Sequence, residues 1–177
     1  MNQNTSRPKR VSRSEAVRNT DSQLFNSSVG YQVRQTNRLI QKYLQQKIEP
    51  HGVTLGMWYF LRSLWITDGL TQKELSTIVG TMEPTTLTAI KAMERNGLVR
   101  RVPNKNDRRK INIYLTDHGQ NLAKKLIPLG REVTRAVVAN LTAQEVERLL
   151  SLLGEVQTSL IAEMGGGLDD PTSDQSE

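Results

Sequence analysis

The side chains with most to offer chemically lie in two neighbouring stretches. In PTTLTAIKAMERN, Pro84 to Asn96, one side carries Thr85, Thr88, Lys91, Ala92 and Arg95 at 3.6-residue spacing. Leu87, Ile90 and Met93, with Glu94 at the margin, share the other. Small hydroxyls and a methyl near the N-terminal end let a helix approach base edges, while Lys91 and Arg95 reach phosphates. An ordinary amphipathic surface helix accounts for the apolar stripe but not for a small patch free of acids. Direct base contact by at least one of Thr85 and Thr88 is therefore expected. The second stretch is LVRRVPNKNDRRKINIYL, Leu98 to Leu115, with six cations and one acid between two short alternating runs. Repulsion at the tip of such a hairpin costs folding free energy, and a polyanion is the partner that would offset it. An arginine lowered into a minor groove meets concentrated negative potential. A carboxylate two residues away reduces the entropy lost in holding it there, so Asp107 is expected to orient Arg109, with Arg108 and Lys105 on phosphates. Without a partner, the same pair is an exposed salt bridge that contributes little.

The elements that must position these groups follow from periodicity and punctuation. Val29, Val33, Ile40, Leu44 and Ile48, with Thr36 in the seam, have helical spacing, and Pro50 and Gly52 stop that helix. Thr54 caps a second helix, Leu55 to Ile66, ended by Asp68-Gly69. It is apolar nearly all round, so it should be buried on more than one side. Thr71-x-x-Glu74 is a capping box opening a short helix to Val79. Gly80 then turns the chain, Pro84 suits the first turn of the next helix, and Gly97 ends it in a left-handed cap. Two short helices about a glycine turn form the helix-turn-helix pattern. Leu98 to Val102 and Ile111 to Leu115 read as antiparallel strands, with loop chemistry from Pro103 to Asp107. Thr116 caps a long helix from Asp117 to about Asn140, with Pro128-Leu129-Gly130 as a candidate bend. Thr142-x-x-Glu145 opens a last helix through Met164, whose Val146, Leu149, Leu150, Leu153, Val156, Leu160 and Met164 form a coiled-coil-like stripe.

The predicted fold is mainly α with a small β-hairpin wing: a winged helix-turn-helix domain plus a helical dimerisation region. Residues 54–116 form the DNA-binding domain, and 28–53 with 117–164 the dimerisation region. Residues 1–27 are expected to be a disordered basic arm and 165–177 a disordered acidic tail.

Composition narrows the function classes. The net charge is +6, concentrated in Lys91 to Lys110, with eight cations and two acids, and in the first twenty residues, with five cations and one acid. That distribution is the footprint of a polyanion partner. There is no cysteine, which excludes a disulfide framework, a thiolate zinc site and thiol redox sensing. The start is cationic with no apolar segment behind it, and no apolar run approaches a membrane span. No membrane partner is expected, and a cytoplasmic, nucleoid-associated location is. With two histidines, His51 and His118, and no HExxH, GxSxG or glycine-rich phosphate loop, an enzyme, a metal site and a cofactor are not expected. His118, in the first turn of a helix, reads as solvated.

The element order, together with NGLVRR, NDRRK and LTDHG, resembles the MarR family of bacterial transcription regulators over about Val29 to Met164. The resemblance implies dimers formed through the first and last helices, repression at pseudo-palindromic DNA, and release by a small, often aromatic or phenolic, ligand between the two lobes. It also implies that Pro84, Thr85, Thr88, Asp107 and Arg109 fall on DNA-contact positions. Members that sense peroxides use a cysteine, so that branch is excluded here. A homodimer has its own physical warrant. One winged module reads too few base pairs, and a two-fold pair sets its reading helices about 34 Å apart.

For an effector, the expected region lies against the doubly buried second helix. Tyr43, His51, Trp58, Tyr59 and Arg62 are the candidates, and a cation beside aromatic rings suits a small aromatic carboxylate. Trp58 also reads as core, and Arg62 as a partner for Asp68. The sequence thus points to a ligand-responsive repressor on double-stranded DNA. A ligand-independent activator or architectural DNA-binding protein stays open, as does a helical interaction module for an acidic partner.

Overall fold

The computed structural model describes residues 28–165. The basic arm expected over residues 1–27 and the acidic tail expected beyond residue 165 lie outside the described residues. The chain divides between Lys42 and Tyr43 into two compact units. Helix α1, Val29–Ile48, crosses that boundary. Its expected apolar seam is exposed at Val29 and Val33 in the first unit, while Leu44 and Ile48 are buried in the second.

In the second unit a short 3-10 turn, Glu49–His51, ends at Gly52, whose positive φ of 74° suits glycine. The Thr54 hydroxyl then caps α2, Leu55–Ile66, by accepting from the Met57 amide. Helix α2 buries Met57, Trp58, Phe60, Leu61 and Leu64. It packs against α3, Gln72–Val79, α4, Glu83–Arg95, β2, Ile111–Leu115, and α5, Asp117–Val137, as a helix apolar nearly all round should. The wing pairs β1, Val99–Pro103, with β2 in antiparallel register, from Val99 opposite Leu115 to Pro103 opposite Ile111. Last comes α6, Ala143–Glu163, opened by its capping box at Thr142 and Glu145. No residue of α6 is buried.

Several boundaries differ from expectation by one residue. Helix α4 starts at Glu83 and ends at Arg95, with Asn96 as its C-cap, and β1 starts at Val99. Helix α5 runs through Pro128 and stops at Val137 rather than Asn140. The reason lies just ahead: Thr142 must be extended, at φ −71° and ψ 161°, to cap α6. A turn with Leu141 N–H on the Val138 carbonyl makes the change of direction.

The turn between α3 and α4 is built from hydroxyls as well as Gly80. Thr86, on the inner face of α4, is fully buried, and its hydroxyl shares a hydrogen bond with that of Thr81 at 2.8 Å. Ser76 in turn donates to the Thr81 carbonyl. A buried hydroxyl without a partner costs about 1–3 kcal/mol, so this pairing fixes how α4 leaves the turn. Thr86 joins Ile90 and Met93 as the buried face of α4.

Candidate nucleic-acid interface

The buried face of α4 leaves the other face in water. Pro84, Thr85, Thr88, Lys91 and Arg95 are all exposed, and Ala92 is half-buried at the edge. Neither Lys91 nor Arg95 has an ion-pair partner among the described residues. The Thr88 hydroxyl donates to the Pro84 carbonyl one turn back, at 3.0 Å. Its proton is thereby committed to the backbone. What Thr88 shows outward is a methyl and an oxygen able to accept.

At the wing tip Asp107 and Arg109 meet as the sequence predicted. Asp107 Oδ1 accepts from Arg109 Nε at 3.0 Å and from the Arg109 backbone amide at 3.0 Å, and Oδ2 accepts from Nη2 at 3.2 Å. The Arg109 side chain is nonetheless 91% exposed, while that of Asp107 is 26% exposed. The side-chain and backbone donors of Arg109 hold the Asp107 carboxyl below its ordinary value of 3.8. The carboxylate is therefore charged, and the guanidinium is aimed while its remaining donors face outward. Lys105, Arg108 and Lys110 surround it, all exposed.

The other two cations of the hairpin each have a partner within the protein. Arg100 lies over the ring of Tyr114, its partner in the strand register, at 5.0 Å. Arg101 is 4.0 Å from the Glu94 carboxylate at the end of α4. The tip thus carries the outward-facing charge, and the strands carry cations that help to seat the wing.

The five residues expected around an effector take up different environments. Trp58 is buried, edge-to-face with Trp65 at 5.7 Å, and lies against Gly130, so it belongs to the core. Tyr59 is half-buried, and His51 and Arg62 are exposed. The Tyr43 hydroxyl is 3.5 Å from Glu132, which also takes Lys47 in an ion pair at 2.6 Å. No side-chain hydrogen bond, ion pair or ring contact among the described residues joins any two of the five. The expected Arg62–Asp68 pair is absent among the described residues. Asp68 instead accepts from the amides of Gly69 and Leu115, at 3.0 and 2.9 Å, which ties the end of α2 to β2. Two backbone donors already in place outweigh one long cationic side chain that must be immobilised.

Sequence reasoning passed over two wing residues, Asn104 and Asn112, each hydrogen-bonded through its side-chain amide. An asparagine three residues before an aspartate in a turn was the available signal for the first.

Comparison with known proteins agrees with this geometry. The family model described as MarR family matches residues 53–111. The homoprotocatechuate degradative operon repressor of Escherichia coli is 29% identical over 121 residues, 68% of this chain and 82% of that protein. Among solved structures, the S. aureus MepR–DNA complex aligns with a TM-score of 0.71 at 26% identity, covering 75% of this chain and 98% of its own. A mutant of Escherichia coli MarR complexed with operator DNA aligns with a TM-score of 0.69 at 25% identity, covering 72% and 92%. With a helix-turn-helix, an arginine-tipped wing and these relatives, the chain is similar to the MarR family of winged helix-turn-helix transcription regulators, whose family model it matches over residues 53–111.

Proposed function

We propose that this regulator is a homodimeric repressor that grips a pseudo-palindromic operator and lets go when a small aromatic acid binds. The observation that carries the DNA-reading part is the Asp107–Arg109 clamp, an almost fully exposed guanidinium held by a carboxylate. An exposed pair of this kind adds little to stability, so its value lies in a partner. In this reading Arg109 enters the minor groove and Lys105 and Arg108 take phosphates. Thr85 and Thr88 meet base edges beside Pro84, and Lys91 and Arg95 flank them on the backbone.

Dimerisation is supported by α6, which leaves Leu149, Leu150, Leu152, Val156, Leu160 and Ile161 exposed. A soluble chain rarely leaves such a face uncovered. In this reading residues 54–116 read DNA, and 28–53 with 117–164 pair the subunits. The protein then works on the bacterial nucleoid.

Repression and the aromatic effector rest on likeness to the homoprotocatechuate degradative operon repressor, a name that points to a phenolic acid. We assign the effector to the surroundings of α2, where Tyr59 offers a ring face and Arg62 a cation with no ion pair among the described residues. In this reading His51 and Tyr43 contribute to the same site, and Trp58 backs it from the core. The effector shifts the dimer away from its DNA-matched form only by as much as it binds the two forms differently.

The test is a titration of purified protein onto the duplex upstream of its own gene, over a range of salt, with and without aromatic acids that raise its melting temperature. Steep loss with salt, preference for one palindrome and release by a stabilising acid are expected. Equal affinity for random duplex would remove the operator, and stabilisation without release would remove the effector's role.

A further inference from the structure

The wing tip is a loop of seven residues between two short strands, and loops of that kind are ordinarily the least ordered part of a domain. Here it is tied to the body by side-chain amides. The carbonyl of Gly69, between α2 and α3, accepts from Asn112 Nδ2 at 2.6 Å. Asn112 Oδ1 accepts from Asn104 Nδ2 at 2.8 Å. Asn104 Oδ1 accepts from the backbone amides of Asn106 and Asp107, at 2.9 and 3.0 Å. Asp107 then holds Arg109.

The ends of this chain fix its direction. A carbonyl at Gly69 demands a donor, so Asn112 must turn its NH2 inward and its oxygen toward Asn104. Two N–H groups at the tip demand an acceptor, so Asn104 must present its oxygen there and its NH2 to Asn112. Neither amide can flip without placing like groups face to face at both of its ends. Both asparagines are half-buried, where such bonds compete less with water. Further ties hold the two ends: Asn104 N–H on the Lys110 carbonyl at 3.0 Å closes the loop, and a bridge pairs Asn112 with Thr71.

We propose that Asn104 and Asn112 are positioning residues for DNA binding, relaying the place of the α2–α3 connection to the Arg109 guanidinium. The proposal rests on the reading of Arg109 as a duplex contact. The relay carries no charge to the DNA itself. It lowers the entropy lost when Arg109 is captured, so its removal weakens binding only while Arg109 is present.

A double-mutant cycle on the full-length protein tests this, using anisotropy with a labelled duplex from the region upstream of its gene. Asn104→Ala is expected to weaken binding about fivefold, and about as much is expected for Asn112→Leu, which keeps the side-chain bulk and leaves the tip turn intact. In an Arg109→Ala background each should cost less than about twofold more. Circular dichroism and melting curves identify any variant that fails to fold, and the two asparagine variants are independent routes to the same result. Losses that add fully in the double variants, or unchanged binding by both asparagine variants while Arg109→Ala binds poorly, would overturn the relay and leave Arg109's role standing. Unchanged binding by Arg109→Ala itself would overturn both.

Discussion

Gly119 in the first turn of α5 lies directly against the main chain of Leu98: a Cβ at 119 would sit 2.1 Å from the Leu98 carbonyl oxygen. That oxygen already accepts from the Thr116 amide at 3.0 Å, and the Gly119 carbonyl accepts from the Trp65 indole at 3.0 Å. Glycine is needed here for closeness, since the backbone is ordinary helix. The contact joins α2, the start of the wing and α5 at one point. Gly119→Ala must push the helix off the strand, and we expect it to destabilise the fold by about 3 kcal/mol. A urea midpoint within error of the native protein would show that the junction yields more easily than its geometry implies.

Arg109→Ala should weaken duplex binding by about 1–3 kcal/mol and reduce the dependence of log affinity on log salt by about one. Fold and oligomeric state should not change, because the side chain is 91% exposed. Gel-shift titrations at several salt concentrations, with sedimentation on the same samples, measure both. An unaltered salt slope would place Arg109 away from the phosphates and the groove.

Because the Thr88 proton is held by the Pro84 carbonyl, the side chain should meet a base as an acceptor with a methyl beside it. Adenine N6 and cytosine N4 are the major-groove donors it suits. Thr88→Val keeps the shape and removes the acceptor, so preference for such a base at one operator position should fall by about 1 kcal/mol. A panel of single-base operator variants bound equally well by both proteins would reduce Thr88 to a spacer.

Acid should destabilise the protein. Glu74 and Glu145, held by hydroxyl and amide donors in their capping boxes, and Glu132, held by Lys47, all titrate below their ordinary value of 4.5. Asp107 does so below 3.8. The unfolded chain therefore takes up protons first as pH falls. The stabilisation is complete above 4.5 and is lost as pH drops through the lowered values. Urea midpoints measured against pH should be flat near neutrality and fall on the acid side, less steeply for Glu74→Gln. A midpoint that rises on acidification would reverse the sign of these interactions.

What the sequence made legible follows from where the information sits. Thr54, Thr71, Thr116 and Thr142 each cap a helix, because a cap needs only residues three apart in the chain. Asp107 and Arg109 were legible for the same reason. The misses are long-range. Thr86 is polar by type, yet it is buried because Thr81 completes its hydrogen bond across a turn. Asp68 reads as a partner for Arg62, a cation close by in the sequence, when it accepts from an amide 47 residues on. Asn112 reads as an ordinary strand residue until the Gly69 carbonyl is brought beside it. Trp58 could stack on an effector or fill the core, and only the missing Cβ of Gly130 decides for the core.

Helix α6 carries one last consequence. None of its 21 residues is buried, so within one chain it holds its shape largely by its cap and its own hydrogen bonds, without the packing of an apolar face that stabilises most protein helices. Whatever covers Leu149, Val156 and Leu160 must also keep them coiled. Helicity should then decline on dilution, and the number of copies in a cell would set how much competent reader exists before any effector arrives.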